Sequence, residues 1–180
     1  MPITKEILSK YANKADIFIE SGTYKGDTVN IAIELGFKEI YTIELNENFY
    51  KLAKIKFEKY PQVTCILGDS QDKLPEILEK ITKPAIFWLD GHWSMGDTSK
   101  GKNAVPLLQE LDIIAKYKIK NHTILIDDIR LLSDKNEIII DWSLINISDI
   151  ENRCKLINDK YKITYEDDIL SKNDILVATL

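Results

Sequence analysis

Residues 16–28, DIFIESGTYKGDT, pass from an apolar strand through Glu20 into a turn with Gly22 and Gly26, and from there into a helix. Three further acidic residues, Glu44, Asp69 and Asp90, each close a short apolar run of their own. Ligands of open α/β sheets bind outside the carboxyl ends of the strands. Four acidic residues at four such ends therefore converge on one crevice, which suits a cationic or hydroxyl-rich nucleoside better than a phosphate.

The rest of the chain supports that sheet. Strands are expected at residues 17–20, 40–44, 63–67, 85–89 and 123–126, and helices at 25–35, 47–60, 73–81 and 104–117. Gly36 is a natural stop for the first of these helices. Asn46 caps the second, whose Phe49, Leu52, Ala53, Phe57 and Tyr60 fall on one face, and Pro61 ends it. A short amphipathic helix, with Thr4 as cap and Ile7, Leu8 and Tyr11 on one face, lies within residues 1–15. Residues 131–146 are less regular. Their run Ile138-Ile139-Ile140-Asp141-Trp142 suits packing on the sheet, covering a pocket or a subunit contact. A helix near residues 148–157 follows, where Ser148 and Glu151 have capping-box spacing. Residues 162–166 and 175–179, separated by a polar turn, read as an antiparallel pair. Strand–helix alternation followed by a terminal hairpin points to a mostly parallel, doubly wound sheet.

Composition narrows the partners. A chain of 180 residues, 44% hydrophobic, is expected to form a single domain over residues 1–180 with a substantial core. A net charge of −5 without a basic run argues against a nucleic-acid backbone as partner. No apolar run approaches the roughly 18 residues of a membrane helix, and residues 1–14 have no signal-peptide core. Cys65 falls in an expected buried strand, so a cytoplasmic protein with free thiols is the expectation. A homodimer stays open.

The terminal hairpin and the motifs together resemble the class I S-adenosylmethionine-dependent methyltransferases over residues 16–180. The resemblance implies a Rossmann-like three-layer sandwich with a seven-stranded, mostly parallel sheet. Its order would be 3-2-1-4-5-7-6, the last strand inserted antiparallel between strands five and six. Glu20-Ser21-Gly22-Thr23-Tyr24-Lys25-Gly26 resembles the family's first motif, which cradles the methionine part of S-adenosyl-L-methionine. A bulky residue at Tyr24, where glycine is commonest, resembles the catechol-type and sugar O-methyltransferases. The resemblance puts Glu20, Ser21, Gly22, Thr23, Gly26 and Thr28 at the cofactor. Glu44 resembles the acid that accepts from both ribose hydroxyls, a role a carboxylate fills with its two oxygens. Dehydrogenases place an acid there too, for the NAD ribose. Asp69 and Ser70 resemble the adenine motif; the alternative is that they cap the next helix.

Asp90-Gly91-His92-Trp93 ends the fourth strand and Asp127-Asp128 the fifth. In the family the residue after strand four, Asp90, lies near the methyl group and the acceptor. Asp90, Asp127 and Asp128 resemble the magnesium site of the catechol-type enzymes, which would fix an acceptor hydroxyl and lower its pKa. Without metal, Asp90 orients acceptor or cofactor, and Asp128 turns the chain. His92 is a candidate general base; the alternative is a structural hydrogen bond. The stretch Ser94-Met95-Gly96-Asp97 lacks the lysine that the catechol enzymes carry here. The polar loop of residues 90–103 is a candidate acceptor-side lid. His122 is expected at the surface, Trp88 and Trp142 in packing. Arg130 suits an acceptor anion, or neutralises Asp127 and Asp128.

The function these features imply is methyl transfer from S-adenosyl-L-methionine to a polar hydroxyl of a small molecule, a sugar or similar metabolite, with Mg2+ in the metal-assisted variant. The alternatives are an NAD-dependent Rossmann oxidoreductase, whose sheet should continue with parallel strands, and a non-catalytic S-adenosylmethionine-binding protein.

Overall fold

The computed structural model describes residues 3–132 and 141–180. Seven strands form one sheet: β1 (Ile17–Ser21), β2 (Glu39–Glu44), β3 (Val63–Leu67), β4 (Ala85–Leu89), β5 (Thr123–Ile126), β6 (Lys162–Glu166) and β7 (Ile175–Thr179). Their order is β3-β2-β1-β4-β5-β7-β6. The first five run parallel, and β7 lies antiparallel between β5 and β6. Side chains along a strand alternate between faces, and the core divides accordingly. Ile17, Ile19, Phe87, Leu89, Ile124 and Ile126 pack under α4 (Ser70–Leu78), α5 (Leu107–Lys116) and α6 (Ile147–Ile157). Phe18, Ile86, Trp88 and Leu125 pack under α1 (Lys5–Ser9), α2 (Asp27–Glu34) and α3 (Glu47–Lys56). The result is the three-layer sandwich expected from the sequence.

Local chemistry sets the helix ends. Thr4 caps α1 by accepting from the Ile7 amide at 3.2 Å, and Ile7, Leu8 and Tyr11 are buried. The helix α2 starts two residues later than the sequence pattern suggests, because Gly26 before it has φ +74°. Asp69 caps α4 and starts it three residues early. Pro106 immediately precedes α5, and a residue before proline avoids helical geometry, so residues 104–106 stay outside. At α6 the capping box is Asn146 with Asp149, one turn-frame away from the expected Ser148 and Glu151.

Two expectations are corrected. His122 is buried, not at the surface: its Nδ1 accepts from the Ala85 amide at 3.0 Å and its ring stands edge-on to Phe87. Burial pushes its pKa down to about 4, so it is neutral. Cys65 is only half-buried, because β3 is an edge strand. Trp88 and Trp142 are core residues as expected. Residues 138–140 of the apolar run lie outside the described residues. No described helix is long and apolar enough to cross a membrane.

Candidate functional site

The sheet changes direction between β1 and β4, the topological switch point at which open α/β sheets bind ligands. A cavity of about 610 Å3 opens there, lined from the carboxyl ends of β2, β3, β4 and β5 and from the β1–α2 turn. Its size lies in the range of small-molecule and cofactor sites.

The turn after β1 is held from two sides. The amides of Gly22 and Thr23 donate to the Ile43 carbonyl at 3.0 and 3.2 Å, tying the turn to β2. Gly22 has φ +90°, and a Cβ on it would strike the Asp90 carbonyl, so only glycine lets this turn close on β4. Gly22, Thr23 and Thr28 line the cavity, whereas Glu20, Ser21 and Gly26 lie outside its wall. Glu20 is buried beneath the turn, where its carboxylate accepts from the Thr42 hydroxyl at 2.7 Å, and Thr42 in turn pairs with the Thr23 hydroxyl. Burial drives the Glu20 pKa up to about 8, only partly opposed by that hydroxyl. Its place is to brace the turn.

Glu44 stands in the cavity wall. Its two oxygens accept from the Tyr24 and Asn46 amides, each at 2.7 Å. The carboxylate is therefore fixed in direction, and each oxygen keeps a lone pair that these amides do not use. Tyr24, at φ +47°, turns its ring onto Phe49 with centroids 4.7 Å apart, and both line the cavity. Asp69 caps α4, one of its two expected readings: Oδ1 accepts from the Gln71 amide, and Oδ2 accepts from the Lys102 amide at 2.9 Å. Ser70 lies beside it in the wall.

The loop after β4 is fastened to this half of the cavity. Asn46 donates to the Asp97 carbonyl at 3.0 Å, Asn103 donates to Gln71, and Gly101 is pressed so closely on Asp69 that a side chain there would collide. Residues Trp93 to Ser99 line the cavity.

At the β4–β5 end, Asp90, His92 and Asp128 meet. His92 Nδ1 lies 3.5 Å from Asp90, Nε2 lies 3.3 Å from Asp128, and the Ser94 hydroxyl is 2.9 Å from Nε2. Burial alone would lower the His92 pKa, but the Asp90 hydrogen bond and the charges of Asp90 and Asp128 outweigh it, and the net shift is upward. Burial raises Asp90, against the opposing effect of His92. Arg130 pairs with both Asp128 and the fully buried Asp174, and its amide donates to Asp174 at 2.8 Å. Asp127 is buried, with a pKa pushed up to about 9 by desolvation and then by its carboxylate neighbours.

No protein-family model matches the sequence, and neither does any curated protein. Solved structures do match. An O-methyltransferase from Bacillus cereus in complex with SAH is 12% identical, with a TM-score of 0.62 over 98% of this chain and 78% of its own. SAH-bound methyltransferase PaMTH1 from Podospora anserina is 13% identical, with a TM-score of 0.61 over 98% of this chain and 79% of its own. This chain has the class I methyltransferase fold.

Within the methyltransferase fold the three acids expected at a metal do not form one set. Among the described residues the ligand atoms of Asp90, His92 and Asp128 lie within 4.8 Å of one another, and those of Asp127, Asp128 and Asp174 form a second such group. The first contains an imidazole, whereas magnesium selects oxygen ligands. In the second, the Arg130 guanidinium already supplies the positive charge to Asp128 and Asp174. These residues do not fit magnesium. They fit an imidazole held between two carboxylates, one of which is neutralised by arginine.

Asp174 and Glu110 escaped the sequence analysis. Each carried a signal: Asp174 directly precedes the apolar run of β7, and Glu110 shares the apolar face of Leu107, Leu111 and Ile114 on α5.

Proposed function

We propose that this protein is an S-adenosyl-L-methionine-dependent methyltransferase acting on a polar hydroxyl of a small molecule, such as a sugar. The observation that carries the reading is Glu44, fixed by two backbone amides in the wall of the switch-point cavity, where a carboxylate can accept from two vicinal ribose hydroxyls. The antiparallel β7 speaks against the NAD-dependent alternative, whose sheet continues in parallel. That the matched Bacillus and Podospora proteins are described as bound to SAH, the demethylated product S-adenosylhomocysteine, supports the same cofactor.

In this reading Gly22, Thr23 and Thr28 border the methionine part, Glu44 the ribose, and Asp69 and Ser70 the adenine. The acceptor oxygen attacks the sulfonium methyl in line; the carbon–oxygen bond forms as the carbon–sulfur bond breaks. The acceptor's proton passes to His92, whose basicity Asp90 and Asp128 raise. Most of the rate comes from positioning, since the methyl group is already activated. No step uses magnesium.

Calorimetric titration with S-adenosylhomocysteine, with NAD as control and with magnesium or a chelator added, tests the reading. Binding of the homocysteine compound but not NAD, weakened roughly 10–100-fold in Glu44→Ala and indifferent to magnesium, is expected. Binding of NAD alone would move the oxidoreductase to first place. With an acceptor in hand, His92→Ala should slow turnover by roughly 10²–10⁴-fold while cofactor affinity persists, and unchanged turnover would remove His92 as the base. Binding of the homocysteine compound with no turnover on any hydroxyl acceptor would favour a non-catalytic binding protein.

A further inference from the structure

A second, much smaller cavity of about 10 Å3 adjoins the Asp90–His92 cluster, walled by Gly91, His92, Glu110, Asp127 and Trp142 among others. Three of these residues carry a buried polar atom without a hydrogen-bond partner: Glu110 Oε1, Asp127 Oδ1 and Trp142 Nε1. The residues are only 1%, 3% and 3% exposed, so bulk water does not satisfy those atoms. Buried polar groups in folded proteins have partners, and three orphans carried by residues that wall one space can be met by a shared one. The absence of a side chain at Gly91 keeps the space open: a Cβ there would lie 3.4 Å from Glu110 Oε1 and 3.1 Å from the Ser21 hydroxyl.

The chemistry of the walls selects the occupant. The space suits about one water molecule. Water has two donors, which match the two carboxyl oxygens, and a lone pair, which matches the indole N–H. A cation is disfavoured because the indole presents a donor, and an anion because the other two groups are carboxyls. The site also touches the chemistry next door. The Trp142 ring stands edge-on to His92, centroids 5.5 Å apart, so whatever fixes the indole N–H fixes the wall against which His92 rests.

We propose that this cavity binds a single water that bridges Glu110, Asp127 and Trp142, and that Glu110 and Trp142 thereby act as positioning residues for His92. The proposal is independent of which cofactor fills the large cavity.

A crystal structure of the chain, read together with imidazole NMR, tests it. One ordered water is expected, about 2.7–3.2 Å from each of the three atoms. The chain has two histidines, His92 and His122, which serve as probe and internal control. Trp142→Phe retains an aromatic ring and removes the donor; it should lose the water and shift the His92 signal and its titration midpoint, leaving His122 unmoved. Glu110→Leu should do the same, whereas Glu110→Gln, which keeps an acceptor oxygen, should restore both the water and the wild-type His92 signal. Should Glu110→Leu fail to fold, Trp142→Phe and Glu110→Gln still decide. A dry cavity, an ion or side chain within it, or a His92 signal indifferent to Trp142→Phe overturns the proposal.

Discussion

Glu44 links backbone geometry to ligand geometry. Its two oxygens hold the amides of Tyr24 and Asn46, and Tyr24 sits at a positive φ that a bulky residue adopts only when held. Glu44→Ala should therefore act twice. It leaves two part-buried amide donors without their partner, costing about 1 kcal/mol of stability in a denaturant titration. It also weakens S-adenosylhomocysteine by roughly 10–100-fold, as expected for losing hydrogen bonds to a charged group. Glu44→Gln separates the two effects, because one oxygen remains for the backbone; stability should recover more than affinity. Equal affinity in both variants and wild type would remove Glu44 from the site. Residues like Glu44, Asp69 and Asp90 were legible in the sequence because a strand's end is visible as the end of an apolar run. What a run does not reveal is depth. Glu20 ends its strand just as Glu44 does, yet lies beneath the turn, because the Thr42 hydroxyl, itself paired with Thr23, donates to it there. His122 precedes its strand like a surface residue, yet an amide of the neighbouring β4 claims it.

At the scale of elements, strand positions were read closely and helix ends less so, because caps are chosen by side-chain geometry among several qualified residues. The start of α6 offers Asn146, Ser148, Asp149 and Glu151 within six positions, and Asn146 takes the role with Asp149. Asn146→Ala should cost about 1 kcal/mol, the ordinary worth of such a cap. Ser148→Ala should cost only a few tenths, as for an ordinary surface change; thermal melts of the two variants distinguish them, and the reverse ranking would restore the sequence-based assignment. The loop of residues 90–103 illustrates a different limit. Its polarity marked it as a candidate acceptor-side lid; its fastenings run to Asn46, Asp69 and Gln71, on the Glu44–Asp69 half of the cavity. Such long-range hydrogen bonds leave no local trace in a sequence. Gly101→Val should push the loop off Asp69 and weaken S-adenosylhomocysteine several-fold in calorimetry, since the hydrogen bond from Lys102 to the Asp69 carboxylate would go with it. Asp72→Ala, which removes only an exposed ion pair with Lys102, should change affinity little.

For the whole molecule, alternation and the terminal hairpin pointed to a mostly parallel sheet and the family resemblance to its strand order, which the structure shows; the same sheet buries a set of titratable groups whose signs can be added. Glu20 rises from its ordinary 4.5 to about 8 and Glu110 to about 7, both through burial, and Asp127 shifts the same way. A group whose folded pKa is raised contributes stability that is full below its unfolded pKa and is lost as pH climbs through the folded value. His92, also raised, has that sign. His122, lowered to about 4, has the opposite one: its contribution is full above about 6.5 and is lost as pH falls toward 4. Above pH 6.5, then, His122 is neutral whether the chain is folded or not, and every remaining slope among these groups points one way. The melting temperature should fall as pH rises from about 6.5 to 8. Glu20 alone would account for about 2 kcal/mol over that interval, one proton across one and a half pH units. Glu20→Gln removes that titration and leaves the Thr42 hydroxyl a partner, so its melting temperature should follow pH less steeply, the two curves converging toward the acid side. His122→Asn keeps an acceptor for the Ala85 amide and should flatten the curve only below pH 6.5. A wild-type melting temperature that climbs between pH 6.5 and 8 would mean that Glu20 and Glu110 enter the folded protein already ionised, and the turn after β1 would then have to be held by charge rather than by a neutral hydrogen-bond chain.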